Sequence, residues 1–350
     1  MDKIRFGLIG TGKIADSSAL NIKTHPHGDV VACQDLSRER REAFASRFEA
    51  KAYAEVGDLL ADESIDAVSI AVPNKFHAPL AIQSLEAGKH VLLEKPFAMN
   101  ASEAEDVLKV AEKSGKTFML GMNQRYHRDS QIVKQLINSG ALGEIYYVKA
   151  YWFRRSGIPR LGTWFGNKDL AGAGAINDIG VHFLDLALHL MGNFEPASVS
   201  GATYTKFGNR GLGEGGWGNS DPSDKPFDVD DLSSAQIRMK NGASIILEVA
   251  WACHTDSANK MNVEIFGTEG GATVYPAEFY TPGEKKGKAY QIVQGPEFEP
   301  ALPHCDKFHN FINHIVNGEE LLVKPDEALT VQRILDAVAE SNQVGHSVQL

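Results

Sequence analysis

Cysteine is scarce in this chain of 350 residues, which holds only Cys33, Cys253 and Cys305 at wide spacing. So sparse and odd a set argues against a disulfide framework or a zinc site and is typical of a reducing compartment. No run approaches the roughly 18 apolar residues that a membrane span needs. Residues 1–5 lead into a strand pattern without the apolar stretch of a secretory signal. The sequence therefore predicts a cytoplasmic protein without a membrane partner.

Excess positive charge is also absent. The chain has 35 lysines and arginines against 45 acidic residues, a formal net charge of −10, and no basic block. This balance argues against nucleic acid as a partner and disfavours a strongly anionic substrate. A chain of this length is typical of two domains.

The first 125 residues alternate between strand and helix patterns. Apolar runs predict strands at residues 4–9, 30–33, 67–72, 90–93 and 117–120. Helical patterns lie near residues 14–24, 37–48, 78–87 and 102–114, the last with a capping-box pattern at Ser102 and Glu105. Such alternation predicts βαβ units and a parallel sheet covered on both faces.

The pattern of the sequence changes after one more predicted helix at residues 131–139. Strand patterns follow at residues 146–153, 236–239, 244–251, 261–266 and 272–275, and short loops such as Asn241-Gly242 indicate antiparallel pairing. Residues 206–228 are rich in Gly, Asn, Asp, Ser and Pro and predict a long surface loop, a candidate active-site flap. We expect a helix at 328–342 and a strand at 347–350, in a C-terminal segment that packs back on the first domain. The prediction is a first domain at 1–125 and a second, α+β domain at 126–350.

A glycine loop follows the first predicted strand and opens a helix. Its G-x-G-x-x-A pattern places Gly10 at a tight turn, Gly12 where a backbone could approach a pyrophosphate, and Ala15 where helix and strand pack closely. A plain glycine turn is the alternative interpretation. The context between a strand and a helix favours a dinucleotide-binding site.

Asp35 ends the second predicted strand, 25 residues after Gly10, near the usual spacing for the acid that binds the adenosine ribose. A carboxylate there favours NAD and repels the 2′-phosphate of NADP. Arg38 could receive that phosphate, although a solvated residue in a first helical turn is the interpretation that we prefer. NAD is therefore predicted, with NADP as the alternative.

Other polar residues end neighbouring strands. Asn74 and His77 follow the strand at 67–72 and could touch ribose or nicotinamide, or they could be an ordinary turn asparagine and helix-start histidine. Lys95 follows the buried strand at 90–93, and Pro96 ends it. A lysine at the carboxyl end of such a strand lies where open α/β sheets bind ligands, unless it is simply solvated.

Asp178 and His182 are four residues apart, a spacing that places both on one face at the start of a helix. Oxidation of a carbinol needs a base for the hydroxyl proton, and histidine is the commonest one. A lysine can stabilise the developing alkoxide. Two alternatives stay open: a metal site of His182, Asp185 and His189, or an N-cap aspartate followed by an interfacial histidine.

Taken together, the motifs resemble the Gfo/Idh/MocA family of oxidoreductases over nearly the whole chain. The residues that carry the resemblance are Gly10-Thr11-Gly12-Lys13-Ile14-Ala15, Pro73-Asn74-Lys75-Phe76-His77, residues 87–96 around Glu94-Lys95-Pro96, and residues 178–185. Each motif alone is weak, whereas their combination is specific.

The resemblance implies an N-terminal Rossmann domain with a doubly wound parallel sheet, followed by an α+β domain with a large, open, mostly antiparallel sheet that often mediates dimers or tetramers. It implies NAD(P)-dependent oxidation or reduction of a sugar, cyclitol or glycoside. It also implies that Lys95, Asp178 and His182 are the catalytic lysine, aspartate and histidine, and that the peptide bond before Pro96 is cis. A homodimer or homotetramer is therefore expected.

The candidate site residues follow from the motifs and the resemblance. Those proposed to bind the cofactor are Gly10, Thr11, Gly12, Lys13, Ile14, Asp35, Pro73, Asn74, His77, Glu94, Lys95 and Asn123. Those proposed to bind the substrate are Lys95, Arg154, Trp164, Asn177, Asp178 and His182. No metal is predicted. Two related functions remain as alternatives: an NAD-dependent redox glycosidase and a non-catalytic, sugar-sensing regulator.

Overall fold

A computed structural model describes residues 3–216, 226–281, 291–294 and 306–350 of the chain. The chain divides into two compact units. The first unit is Met1–Met122 with Asp306–Gln332, and the second is Asn123–Cys305 with Arg333–Leu350. The last long helix therefore contributes residues to both units.

The described strands and helices are numbered in chain order. Strands β1 to β15 are Ile4–Ile9, Gly28–Gln34, Lys51–Tyr53, Ala67–Ile70, His90–Leu93, Phe118–Leu120, Ile145–Arg154, Pro196–Tyr204, Leu232–Met239, Ser244–Ala250, Asn259–Gly267, Gly271–Thr273, Glu278–Thr281, Gln291–Gln294 and Val348–Gln349. Helices α1 to α10 are Ala15–Thr24, Arg38–Phe48, Val56–Leu60, His77–Glu86, Ala101–Ser114, Arg128–Asn138, Lys168–Ala171, Val181–Met191, Lys307–Asn317 and Pro325–Val344.

The first unit is built on a six-stranded sheet in the order β3-β2-β1-β4-β5-β6. All of its neighbouring strands run parallel. Strands β4 and β6 are buried at every position, as expected of a parallel sheet that helices cover. The strand order reverses between β1 and β4, which creates a topological switch point at the carboxyl ends of these two strands. The predicted doubly wound parallel sheet is confirmed.

Several short elements of this unit had no clear sequence signal. Strand β3 is a three-residue edge strand that is largely exposed, and α3 has five residues, so neither shows a full hydrophobic period. The capping box at Ser102 and Glu105 is wrong. Asn100 caps α5 instead, because its side chain accepts a hydrogen bond from the Glu103 backbone N–H at 3.0 Å.

The second unit contains a nine-stranded sheet in the order β14-β13-β12-β11-β7-β10-β9-β8-β15. Its central pair, β7 and β10, is parallel, and the other pairs are antiparallel. Gly242 turns the chain between β9 and β10 with a φ of +92°. The predicted large, mostly antiparallel sheet is confirmed. Its strand β8 was not predicted, since its small polar residues give no apolar run.

The predicted loop at residues 206–228 is only partly described. It begins with a short 3₁₀ turn at Gly208–Arg210, and Glu214 forms an isolated bridge with Ile158. Residues 217–225 of this candidate flap lie outside the described residues. Within the described part of the chain, no helix has both the length and the apolar character needed to cross a bilayer.

Candidate active site

The glycine loop of the first unit lies at the switch point of the parallel sheet. Gly10 follows β1 with a φ of +91°, and a Cβ there would lie 2.3 Å from the Ala71 carbonyl oxygen after β4. Both the backbone angle and the close approach therefore require glycine at this position. The helix α1 begins a few residues later, at the buried Ala15. The loop thus has the geometry of a dinucleotide-binding turn.

Gly12 has a different role from Gly10. Its φ is not in the left-handed region, and apart from its chain neighbours no described atom lies within 4 Å of the position that a Cβ would take. Neither backbone conformation nor internal packing accounts for glycine here. A residue without a side chain, next to the N-terminus of α1, lets a pyrophosphate approach the backbone. This observation favours the ligand-binding interpretation over a plain glycine turn.

Asp35, after β2, is held tightly against the glycine loop. Its Oδ2 accepts hydrogen bonds from the backbone N–H of Thr11 at 3.0 Å and from the Thr11 hydroxyl at 3.1 Å. Arg40 donates to Oδ1 at 2.8 Å. Burial alone would raise the pKa of Asp35, but the hydrogen bonds from Arg40, Ser37 and Thr11 outweigh it and lower the pKa. Asp35 is therefore a carboxylate at neutral pH, as a ribose-binding acid requires.

The arginine considered at the sequence level is not the one beside Asp35. Arg38 is exposed and forms an ion pair with Glu42 at 2.6 Å, which agrees with the solvated interpretation. Arg40 instead pairs with Asp35 and is half exposed. The guanidinium of Arg40 is therefore bound to the carboxylate of Asp35, and the two side chains lie together after β2. The residues fit NAD, because a buried, ionised carboxylate lies where an acid would be needed to bind ribose hydroxyls.

His77 joins two of the segments that carry motif residues. Its Nδ1 lies 2.7 Å from the Pro96 carbonyl oxygen and its Nε2 lies 2.9 Å from that of Val72. Burial lowers the pKa of His77, although both carbonyls oppose this shift. Because both ring nitrogens face backbone carbonyls, we interpret His77 as a residue that positions the segment after Lys95. Asn74, in the preceding 3₁₀ turn, is also buried.

Lys95 follows β5 and is half-buried. The Lys95–Pro96 peptide bond is cis, as the resemblance implied. Its neighbour Glu94 is buried and accepts a hydrogen bond from Lys307 at the start of α9. Lys307 was not anticipated, because it lies more than two hundred positions further along the chain. Glu94 is thus engaged within the first unit by this ion pair.

In the second unit, Asp178 lies in a π-helical turn, Ile176–Gly180, that leads directly into α8. The sequence predicted a regular helix start at Asp178. The capping alternative is wrong, because Asp178 lies inside the helical turn and not before it. Gly180 precedes α8 and provides no side-chain cap. At the start of the π-turn, the backbone N–H groups of Gly174 and Ile176 are bound by Asp230. π-Turns inside helices are frequent at functional sites.

Asp178 has two partners in its own unit that the sequence did not reveal. The indole N–H of Trp251 donates to Asp178 Oδ2 at 2.8 Å. Arg154, at the end of β7, interacts electrostatically with Asp178 and stacks over the ring of Trp152 at 4.3 Å from its centroid. Burial lowers the pKa of Arg154 and the charge of Asp178 opposes that shift. Arg154 and Asp178 therefore interact within the second unit, and their role in substrate binding stays a prediction.

The alternative of a metal site at His182, Asp185 and His189 requires Asp185 as a ligand, but this residue is already engaged in an ion pair. Asp185 is fully buried and forms a bidentate ion pair with Arg125, at 2.9 Å and 2.6 Å. In the described residues, no group of three His, Cys, Asp or Glu side chains is arranged to hold a metal ion. His182 is the second residue of the same helix, and its Nδ1 is buried. Burial lowers the pKa of His189.

The remaining candidate residues are spread over both units. Lys13 and Ile14 are exposed in the glycine loop, Pro73 is half-buried after β4, and Asn123 is exposed at the start of a 3₁₀ turn. Asn177 is buried and donates to the Ala171 carbonyl at 3.3 Å. Trp164 stacks on Phe165, with ring centroids 3.9 Å apart. Asn177 adjoins Asp178, whereas no described contact joins Trp164 to that cluster.

The parallel sheet of the first unit, with a glycine loop at its switch point and an ionised aspartate after β2, has the architecture of an α/β, dinucleotide-binding protein. Residues 4–122 match the family model described as oxidoreductase family, NAD-binding Rossmann fold, and residues 130–273 match the GFO/IDH/MocA C-terminal domain. The chain belongs to the Gfo/Idh/MocA family of oxidoreductases.

The similar proteins agree with this assignment. A D-glucoside 3-dehydrogenase of Escherichia coli is 31% identical over 349 residues, covering 99% of this chain and 97% of the relative. Among solved structures, an NAD-binding protein from Listeria innocua has a TM-score of 0.82 at 28% identity, covering 99% and 97% of the two chains. A levoglucosan dehydrogenase in complex with NADH has a TM-score of 0.84 at 25% identity, covering 99% of each chain. The predicted NAD(P)-dependent oxidoreductase acting on a sugar CH–OH group is confirmed at the level of class.

Proposed function

We propose that this protein is an NAD-dependent dehydrogenase that oxidises the C3 hydroxyl of a D-glucoside. The observation that carries the proposal is the combination of Gly12, left open for a pyrophosphate, with Asp178 fixed in a π-turn before His182. The position C3 and the glucoside rest on the full-length similarity to the D-glucoside 3-dehydrogenase.

The first unit contains the residues that we expect to hold the cofactor. The glycine loop and the N-terminus of α1 would receive the pyrophosphate, and Asp35 would accept hydrogen bonds from the adenosine ribose. Bound NAD supplies the acceptor for the hydride that leaves the sugar carbon. The engaged Arg40 and the ionised Asp35 favour NAD over NADP, because a 2′-phosphate would meet a carboxylate.

The other groups handle the proton and the substrate. His182 accepts the proton of the sugar hydroxyl as general base. Lys95 stabilises the negative charge that develops on that oxygen. Asp178, with Arg154 and Asn177, positions the sugar, and Trp164 offers a ring on which a pyranose could stack. The carbinol thus loses a hydride and a proton and becomes a ketone.

The domain, location and assembly assignments belong to the same proposal. Residues 1–125 bind the cofactor, and residues 126–350 bind the substrate and form a homodimer or homotetramer. The protein acts in the cytoplasm and has neither nucleic acid nor a membrane as partner. The acidic net charge supports the exclusion of nucleic acid, and the sparse cysteines support the cytoplasmic location.

The test is a steady-state assay for NADH with purified protein, NAD or NADP, and a panel of methyl glucosides, free hexoses and inositols. We expect methyl glucosides with NAD to give the highest kcat/KM. Lys95→Ala and His182→Ala should each lower kcat at least about a hundredfold, and His182→Ala should leave NADH binding nearly unchanged. Wild-type turnover in both variants would refute the catalytic assignment. Release of aglycone without accumulation of NADH would instead support a redox glycosidase.

A further inference from the structure

Trp251 is a fully buried residue directly after strand β10. Its backbone N–H donates to the Asp231 carbonyl at 2.8 Å, so the position of the residue is fixed by the sheet. Its indole N–H donates to Asp178 Oδ2, also at 2.8 Å. An indole N–H that is buried needs an acceptor. Here the acceptor is the half-buried carboxylate that we assign to substrate positioning.

The main chain around Asp178 is held independently of this bond. The Asp178 N–H donates to the Gly174 carbonyl at 3.0 Å. Asp230 binds the N–H groups of Gly174 and Ile176 at 2.6 Å and 2.9 Å. Gly174 itself cannot carry a side chain, because a Cβ would lie 1.9 Å from the Asp230 carbonyl oxygen. These contacts fix the backbone of the π-turn, but they leave the rotation of the Asp178 side chain to other groups.

We propose that Trp251 is a positioning residue that fixes the carboxylate of Asp178 for the sugar. The indole N–H selects one rotamer of Asp178, and the charge of Arg154 interacts electrostatically with the same residue. Substrate hydroxyls then meet a carboxylate that is already oriented, which reduces the cost of ordering it during the reaction. This inference rests on the proposed role of Asp178.

A purely structural role for the indole is the competing explanation. The chain offers a comparison in Trp152, whose indole N–H donates to Asn259 Oδ1 at the same distance of 2.8 Å, at an exposed position. That bond joins the neighbouring strands β7 and β11 and does not involve Asp178, although the Trp152 ring lies beneath the guanidinium of Arg154. Asn259→Ala removes its acceptor and leaves the Trp152 ring in place, so it is a matched control for the loss of one indole hydrogen bond.

The first experiment measures kinetics of Trp251→Phe with methyl β-D-glucopyranoside and NAD. Phenylalanine keeps an aromatic ring in the buried position and removes the N–H. We expect kcat/KM for the glucoside to fall about tenfold, with the KM for NAD unchanged and with Asn259→Ala close to wild type. Wild-type kcat/KM in Trp251→Phe, with a folded protein by circular dichroism, would overturn the proposal.

A double-mutant cycle separates positioning from packing. If Trp251 acts through Asp178, Trp251→Phe should have almost no further effect on the turnover of Asp178→Ala or on the dissociation constant of the glucoside from the NADH-bound protein. The same tenfold loss in both backgrounds would show a structural role and refute the proposal. If Asp178→Ala alone retains wild-type turnover, the proposed function of Asp178 fails. If Asp178→Ala is impaired while Trp251→Phe is not, only the inference about Trp251 fails.

Discussion

Single residues of the glycine loop show how one residue type can serve two purposes. Gly10 is required by the fold, because its positive φ and the nearby Ala71 carbonyl exclude any side chain. Gly12 has an ordinary φ and open space around it. The sequence motif does not distinguish these roles, whereas the geometry does. Gly12 should therefore matter for the cofactor and not for stability.

Gly12→Ala tests this distinction. We expect the dissociation constant of NADH to rise at least about tenfold, since a methyl group would stand where the pyrophosphate approaches the backbone. The free energy of unfolding in urea should change by less than about 0.5 kcal/mol, as is typical of substitutions that meet no neighbour.

Gly57→Ala is the matched control for this substitution. Gly57, in α3, also has an ordinary φ, and outside its own helix backbone and chain neighbours no described atom lies within 4 Å of the Cβ position. We expect it to leave NADH binding unchanged. Equal NADH affinity in Gly12→Ala and the wild type would contradict the assignment of the loop to the pyrophosphate.

At the scale of elements, strand β5 carries Lys95 at its carboxyl end and His90 at its other end. The Nδ1 of His90 accepts a hydrogen bond from the Thr117 N–H at 3.0 Å, which requires an unprotonated nitrogen. Burial, followed by the charge of Lys116, lowers the pKa of His90 from the usual 6.5 to about 4. The neutral ring therefore contributes to the anchoring of β6 beside β5.

The pKa of His90 predicts a loss of stability in mild acid. Because the pKa is lower in the folded state, the unfolded chain binds the extra proton once the pH falls below about 6.5, and stability decreases as the pH falls further towards 4. In His90→Asn, the side-chain oxygen can accept the Thr117 N–H without this titration. Urea unfolding at pH 7 and pH 5 should show the wild type losing about 1 kcal/mol more than the variant.

The control for this prediction is His346→Asn at an exposed histidine in the tail. It should lose as much stability between the two pH values as the wild type does. An identical pH dependence in His90→Asn and the wild type would refute the assignment of this acid sensitivity to His90.

The elements also show what the sequence could predict. Continuous apolar runs identified β1, β4 and β5, because burial on both faces leaves no other pattern. The partners Trp251 and Lys307 could not be found in this way, since Asp178 and Trp251 are 73 positions apart and no local motif joins them. The π-turn was likewise missed because its residues fit an α-helical pattern equally well. The sequence motifs therefore identify candidate residues, whereas the hydrogen-bond and ion-pair partners of those residues are set by tertiary packing.

At the scale of the whole molecule, one face of the large sheet is the surface at which we propose that copies of the chain assemble. Tyr147 on β7 and Phe266 on β11 are paired across the strands, with ring centroids 5.4 Å apart, and Phe266 is 38% exposed. Trp152, on the other face of β7, packs against Phe183 of α8. Tyr147 and Phe266 therefore lie on the face turned away from α8. Exposed aromatic residues on such a face are typical of interfaces.

Light scattering coupled to gel filtration tests the proposed homo-oligomer. We expect the wild type to have twice or four times the mass of the 38.1 kDa chain. Phe266→Glu should lower that mass, because a carboxylate would be buried without a partner in the interface. Leu20→Glu, at a side chain that is 57% exposed on helix α1 of the first unit, should leave the mass unchanged. A monomeric wild type would contradict the proposal.

The central claim is that a hydride leaves C3 of a D-glucoside and is captured by NAD bound to this protein. The direct measurement uses methyl β-D-glucopyranoside with deuterium at C3, followed by mass spectrometry of the isolated NADH. We predict that the deuterium appears in the NADH and that the sugar product is the 3-ketone. Unlabelled NADH, or no NADH with this glucoside, would contradict the account.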